Sequence, residues 1–247
     1  LVGSEMCIRD SCVSVNQDGE EVKLVRYRYD DRGDMVETLD ALDVSKHFVY
    51  SGGHLLVQLT NQGGMSFHWE YEGKGENARC VHTWGDGGVM EYFIRYGKGY
   101  THIRNGENAE TEYYYGEDKL IYKIVDANGG ITRHQYNSFQ ELEVTVNPEG
   151  YTRKTAYNEF GQPLRITDEN GEDTFLDYDG NRNLVSLYTP GGKRLSWDYD
   201  GQDRVVSRTT PSGDTVKYAY EGGVLRTITD GQGRVYTLTF NDRYDLE

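Results

Sequence analysis

Short apolar–polar alternations recur along the chain, and each ends on a tyrosine. Two residues before these tyrosines stand Tyr27, Phe48, Trp69, Met90, Tyr113, His134, Thr155, Leu176, Trp197 and Tyr218, eight of which are large and apolar or aromatic. One residue before them stand Arg28, Val49, Glu70, Glu91, Tyr114, Gln135, Ala156, Asp177, Asp198 and Ala219, mostly polar or small. Residues two apart share a strand face, so the pattern predicts strands with one buried, aromatic-rich face. A shorter alternation, such as Leu164-Arg-Ile166, lies between polar turns holding Gly161 and Gly171. Strand, polar turn, strand, polar turn is the signature of a β-hairpin.

The hairpin is copied. Tyr29, Tyr50, Tyr71 and Tyr92 are 21 residues apart, and after one longer unit the spacing resumes at Tyr115, Tyr136, Tyr157, Tyr178, Tyr199 and Tyr220. A fixed period of this size marks a repeat architecture. A glycine falls 14 residues after most of the tyrosines, at Gly64, Gly85, Gly106, Gly129, Gly150, Gly171, Gly192 and Gly213. Such a column implies a backbone position that needs positive φ or a close approach. Asp40, Asn61, Asp126, Asn147 and Asp168 stand three residues before it, where a side-chain oxygen can accept backbone N–H groups across the turn.

The longer unit, Tyr92 to Tyr115, predicts a bulge or a longer loop near Asn105 to Glu112. After Tyr220 the unit is one residue shorter, and Phe240 takes the aromatic place. A single hairpin is marginal in water, so the copies are expected to pair edge to edge. About twenty strands result, and a sheet that long must twist and curl. The expected fold is all-β: tandem hairpin repeats in a curled, spiralling antiparallel sheet. A propeller blade takes about 40 residues, and the columns show no matching odd–even alternation.

Residues 1–12, which include Cys7 and Cys12, match no part of the repeat and read as a non-native or disordered leader. Residues 13–247 read as one continuous array cut from a longer protein. Twenty-six basic against 41 acidic side chains give a net charge of −15. That speaks against nucleic acid as a partner, because phosphate binding needs clustered Lys and Arg. No apolar run approaches the ~18 residues of a membrane span. Three cysteines do not make a disulfide framework, and Cys80 reads as an unpaired packing residue.

The repeat condenses to Tyr-Asp/Asn-x-x-Gly-x-Leu-x-x-Ile-Thr-Asp-x-x-Gly, as in Tyr29-Asp-Asp-Arg-Gly33 and in Tyr157-Asn-Glu-Phe-Gly161 through Ile166-Thr-Asp168. It resembles the YD repeats of bacterial Rhs proteins. The segment Ala78-Arg-Cys-Val-His-Thr-Trp-Gly-Asp-Gly-Gly88 is similar to a stretch found in Rhs proteins ahead of their main repeat run. The resemblance covers residues ~16 to 247 in phase. It implies a hollow shell of spiralling β-sheet, as in Rhs proteins, Tc toxins and teneurins. Its partners would be the rest of the same polypeptide and an enclosed C-terminal toxin domain. Delivery to a competitor or host cell would involve secretion-apparatus proteins, often those of type VI secretion, so the protein would be secreted, translocated or at the cell surface. Shells of this family often end in a self-cleaving aspartate core with Asp-Pro motifs. Pro148, Pro163, Pro190 and Pro211 follow Asn, Gln, Thr and Thr instead.

Other chemistry is not in view. His47, His54, His68, His82, His102 and His134 form no close metal-ligand pair and read as ordinary strand residues. Asp168–Asp173 and Asp177–Asn181 do not fit a calcium loop, and Gly85-Asp-Gly-Gly88 lacks the Lys-Ser/Thr of a phosphate loop. No catalytic residue, cofactor or metal is expected, and the segment reads as non-enzymatic. The alternative to a shell wall is a cell-surface adhesion or glycan-binding module, with Trp69 and Trp197 stacking on sugars.

Overall fold

A computed structural model describes residues 11–15, 21–241 and 246. Its 22 strands are antiparallel and divide into two compact units at Tyr114/Tyr115. The first unit holds β1 (Ser11–Val15), β2 (Glu21–Tyr29), β3 (Met35–Asp40), β4 (Ser45–Tyr50), β5 (Leu56–Thr60), β6 (Ser66–Glu72), β7 (Arg79–Gly85), β8 (Val89–Gly97), β9 (Tyr100–Asn105) and β10 (Glu110–Tyr115). The second holds β11 (Ile121–Val125), β12 (Ile131–Tyr136), β13 (Leu142–Val146), β14 (Thr152–Tyr157), β15 (Pro163–Thr167), β16 (Asp173–Tyr178), β17 (Leu184–Tyr188), β18 (Arg194–Tyr199), β19 (Val205–Thr209), β20 (Thr215–Glu221), β21 (Val224–Thr229) and β22 (Val235–Thr237). Within each unit the strands pair in sequence order as an open meander. Residues 1–10 of the expected leader lie outside the described residues. Its boundary at residue 12 falls inside β1, where Ser11 and Cys12 pair with Arg26 and Val25 of β2.

The regular turns share one closure. At Asn147 the backbone N–H donates to Tyr151 O at 2.9 Å, and Gly150 N–H donates back to Asn147 O at 3.0 Å. This is a three-residue hairpin loop whose last residue needs positive φ. Six of the eight column glycines supply it, Gly64, Gly129, Gly150, Gly171, Gly192 and Gly213. The other two do not. Gly85 is extended, at φ −98°, and a Cβ there would meet Phe67 and Val89 O at 3.1 Å. Gly106 also lacks positive φ, and Asn108 takes the left-handed place in its turn at φ 65°.

The expected bulge or longer loop at Asn105–Glu112 is not there. Asn105 N–H to Ala109 O, at 3.0 Å, closes a turn of ordinary length. The two extra residues lie earlier, because β8 runs on through Tyr92 to Gly97 and pairs with β9 out to Gly97–Tyr100. A two-residue connection, Lys98-Gly99, replaces the regular turn, with Gly99 at φ 78°. Gly222-Gly223 does the same after Tyr220, with both φ values positive, which is why that unit is one residue shorter.

Bulges occur elsewhere, one per regular repeat. The register slips by one residue immediately before Tyr29, Tyr50, Tyr71, Tyr136, Tyr157, Tyr178, Tyr199 and Tyr220. At Tyr157, for example, Ala156 pairs with Arg165 while Tyr157 pairs with Pro163. The extra residue, Leu164, is left unpaired and re-aims the strand end.

The expectation of one buried aromatic face needs correction. Leu176 is buried on the tyrosine face, but Leu39, His102 and Ser186 are buried on the other, by their pairing with Arg26, Arg95 and Asp177. The repeat tyrosines are half-buried, and Tyr29 and Tyr92 are exposed. Met90 leaves the −2 column altogether. It is the second residue of β8, sits at φ 54° and is 67% exposed.

Candidate functional site

The repeat tyrosines are joined to one another through the backbone. Six of them, each at or one residue short of its strand's end, donate the hydroxyl to the carbonyl of the first residue of the strand before. Tyr136 reaches Ile121 O at 2.9 Å, Tyr157 reaches Leu142 O at 2.8 Å, and Tyr178 reaches Pro163 O at 3.0 Å. Tyr199 reaches Leu184 O at 2.9 Å, Tyr220 reaches Val205 O at 3.0 Å, and in the first unit Tyr71 reaches Leu56 O at 2.9 Å. Leu142, Pro163, Leu184 and Val205 are also the residues that pair across the bulge with Tyr136, Tyr157, Tyr178 and Tyr199. Each tyrosine therefore caps the carbonyl beside the previous repeat's bulge. Burial pushes the phenols of Tyr71, Tyr178 and Tyr199 above their ordinary value. The sequence held a signal for this bond: an apolar face alone would accept Phe, yet ten copies keep the hydroxyl.

The residue after each regular tyrosine organises the turn, a role sequence reasoning gave only to the column before glycine. Asp179 Oδ1 accepts Asn181 N–H at 2.9 Å and Asn183 N–H at 2.8 Å, and Asn158 accepts Phe160 and Gln162 in the same way. Asp40, Asn61 and Asp168 do so at the second turn, and Asn147 accepts Tyr151 N–H. Backbone N–H donors hold the carboxyls of Asp40, Asp168 and Asp179 below the usual aspartate value, with Val44, Glu172 and Asn183 contributing most.

A folded pKa below the unfolded one contributes stability that is full above the unfolded value, 3.8, and is lost as pH falls through the folded value. Acid titration followed by circular dichroism is therefore expected to leave the fold intact at pH 5 and to unfold it below about pH 4. Replacing both Asp168 and Asp179 by Asn keeps the acceptor oxygens and moves the acid midpoint lower. An unchanged midpoint would rule out these turns as the acid-sensitive element.

The face opposite the tyrosines is polar and cross-linked. Thr60–Ser66 at 2.9 Å, Thr167–Asp173 at 2.7 Å and Thr209–Thr215 at 3.0 Å join neighbouring strands through side-chain oxygens. Ser186 and Ser207 donate to Asp177 and Asp198. In the first unit the same face carries a run of stacked planar groups. His68 lies 5.1 Å from Trp84, Trp84 lies 4.3 Å from His82, His82 lies 4.3 Å from Phe93, and the Arg104 guanidinium sits 4.2 Å over Phe93. Four of the six histidines share this face, and each meets a carboxylate: His47–Glu37 at 3.8 Å, His68–Asp86 at 3.5 Å, His82–Glu70 at 3.3 Å with Glu91 at 3.0 Å, and His102–Glu110 at 3.3 Å. His134 is on the tyrosine face beside Thr145, where burial lowers its pKa.

Among the described residues, no group of three His, Cys, Asp or Glu side chains is arranged to hold a metal ion, and no helix is long and apolar enough to cross a membrane. The Cys80 thiol is half-buried, and burial pushes its pKa up. Trp197 is half-buried on the tyrosine face.

A tandem array of tyrosine-linked antiparallel hairpins defines a repeat wall. The RHS Repeat family matches residues 157–194 and 177–215. The probable deoxyribonuclease RhsB of Dickeya dadantii (strain 3937) is 24% identical over 161 residues, covering 65% of this chain and 11% of that protein. The crystal structure of TcdB2-TccC3 without hypervariable C-terminal region superposes with a TM-score of 0.56 at 10% identity, over 95% of this chain and 16% of that chain. Residues 157–215 thus carry the RHS repeat, and the chain as a whole is similar to Rhs/YD-repeat proteins. It spans about a tenth of the curated relative and about a sixth of the structural one.

Proposed function

We propose that this chain is a structural wall segment of an Rhs-type shell that encloses a toxin domain lying further toward the C-terminus of the full protein. The observation that carries the reading is the run of tyrosine-to-carbonyl links from Tyr136 to Tyr220, which couples successive hairpins at the same bulged position in every repeat. Such a surface is built to be continuous rather than to present one reactive cleft. The segment then acts by confinement and is not itself an enzyme, and the nuclease activity in the relative's name belongs to a part of that protein outside the matched wall. The full protein would be a secreted or translocated effector, or a cell-surface one, working with a secretion apparatus such as type VI.

The test is limited proteolysis of the full-length protein. The C-terminal domain is expected to resist cleavage while the wall is intact, and to be cut at the rate of the isolated domain once Tyr157, Tyr178 and Tyr199 are all replaced by Ala. A C-terminal domain that is cut equally fast with the wall intact would refute enclosure. Glycan binding that is lost on Trp197→Ala would favour the adhesion reading instead.

A further inference from the structure

We propose that the face of β6–β10 opposite the tyrosines binds a cationic polypeptide segment at neutral pH and releases it on acidification. On this face Glu70, Glu72, Asp86, Glu91, Glu110 and Glu112 stand against three arginines, Arg79, Arg95 and Arg104. Protonating His68, His82 and His102 would make six cations against six carboxylates, so the face passes from acidic to balanced. Histidine is the side chain whose charge changes between pH 5 and 8. The inference stands apart from the shell reading, since a wall that encloses nothing would still bind and release such a segment.

The contacts supply a mechanism beyond net charge. His82 points Nδ1 at Glu70 and Nε2 at Glu91. Only the imidazolium has a proton on both nitrogens, so only in acid can His82 donate to both carboxylates at once. His102 engages one carboxylate, Glu110, through Nε2, and faces Arg95 of β8 and Glu112 of β10 across the strands. His68 engages Asp86 and is paired with Trp84 of β7 and the uncharged Gln58 of β5. In acid, histidinium is an internal competitor that claims these carboxylates. Above the histidine range it withdraws, and the carboxylates are available to a partner's ammonium or guanidinium groups. Glu70 and Glu110 have side chains that are 62% and 60% exposed, so a partner can reach them. Trp84 and Phe93, stacked between them, offer a flat apolar strip for the methylene stems of Lys and Arg.

The test uses fluorescence anisotropy with a labelled decapeptide of alternating lysine and glycine, titrated with the whole chain at pH 7.5 and pH 5.5. Binding is expected at pH 7.5 and about tenfold weaker at pH 5.5. The glutamate–glycine counterpart is expected not to bind at pH 7.5. Glu70→Gln with Glu110→Gln is expected to weaken binding at pH 7.5, whereas Glu149→Gln with Glu169→Gln, on exposed turns of the second unit, is expected to leave it unchanged. His68→Gln, His82→Gln and His102→Gln together are expected to abolish the pH response while keeping the binding. Should the triple variant fail to fold by circular dichroism, His68→Gln with His82→Gln replaces it and is expected to lose most of the response. Four results would overturn the proposal: no binding at pH 7.5, equal binding at both pH values, a pH response that survives the histidine substitutions, or an equal loss in the turn-glutamate control.

Discussion

Tyr178→Ala is expected to lower the unfolding free energy of the second unit by about 2–3 kcal/mol, and Tyr178→Phe by about 1 kcal/mol. The two substitutions separate two contributions. Ala removes a half-buried ring from the tyrosine face and the hydroxyl that donates to Pro163 O. Phe keeps the ring and removes only the donor, so its cost is that of one hydrogen bond to a carbonyl beside a bulge. The hydroxyl also predicts an alkaline limit. Burial raises the Tyr178 pKa, so its contribution is full below the unfolded value near 10 and is lost as pH rises through the folded value, because phenolate cannot donate. Chemical denaturation of the three proteins at pH 7 checks the first expectation. If Tyr178→Phe matches the wild type, the links are incidental.

Leu176→Ala is expected to cost about 2–3 kcal/mol, as a truncation at a site with little freedom to collapse. Leu176 is 9% exposed, the only buried side chain on the tyrosine face among the described residues, and pairs with Leu187 of β17. Phe175, its neighbour in sequence, points to the other face and is 46% exposed. Phe175→Ala is therefore expected to cost under about 1 kcal/mol, although it removes the larger side chain. Measured denaturation midpoints decide the order of the two. A larger loss for Phe175→Ala would show that burial at this repeat does not set the cost.

Much of this architecture was legible because its causes are local. A hairpin needs alternation, a turn and a residue that tolerates positive φ. The columns ending at Tyr157, Asn158, Asp168 and Gly171 state all three within 15 residues. The longer unit departs from expectation because polarity alone points to Asn105–Glu112 as the turn that lengthens. The structure puts them where Lys98-Gly99 allows a two-residue connection, so that β8 and β9 lengthen together. Burial departs from expectation for a different reason. Alternation shows which residues share a face, but not how many layers cover it, and Ser186 and Leu39 are buried on the face expected to be polar.

The histidines show where reading along the chain stops. His68, His82 and His102 are 14 and 20 residues apart, a spacing with no meaning for a single strand or loop. Antiparallel pairing places them on one face of β6, β7 and β9, with carboxylates from β8, β10 and the turn after β7 beside them.

The 21-residue period by itself determined that this protein is a ladder of hairpins with aspartate-closed turns, because those interactions form between residues a few positions apart. Only the tertiary structure decided the bulge before each regular tyrosine, the hydroxyl's reach to a carbonyl 15 residues earlier, and the stacked histidine face. Those depend on the register between strands, and register becomes a fact only when one backbone is laid against the next.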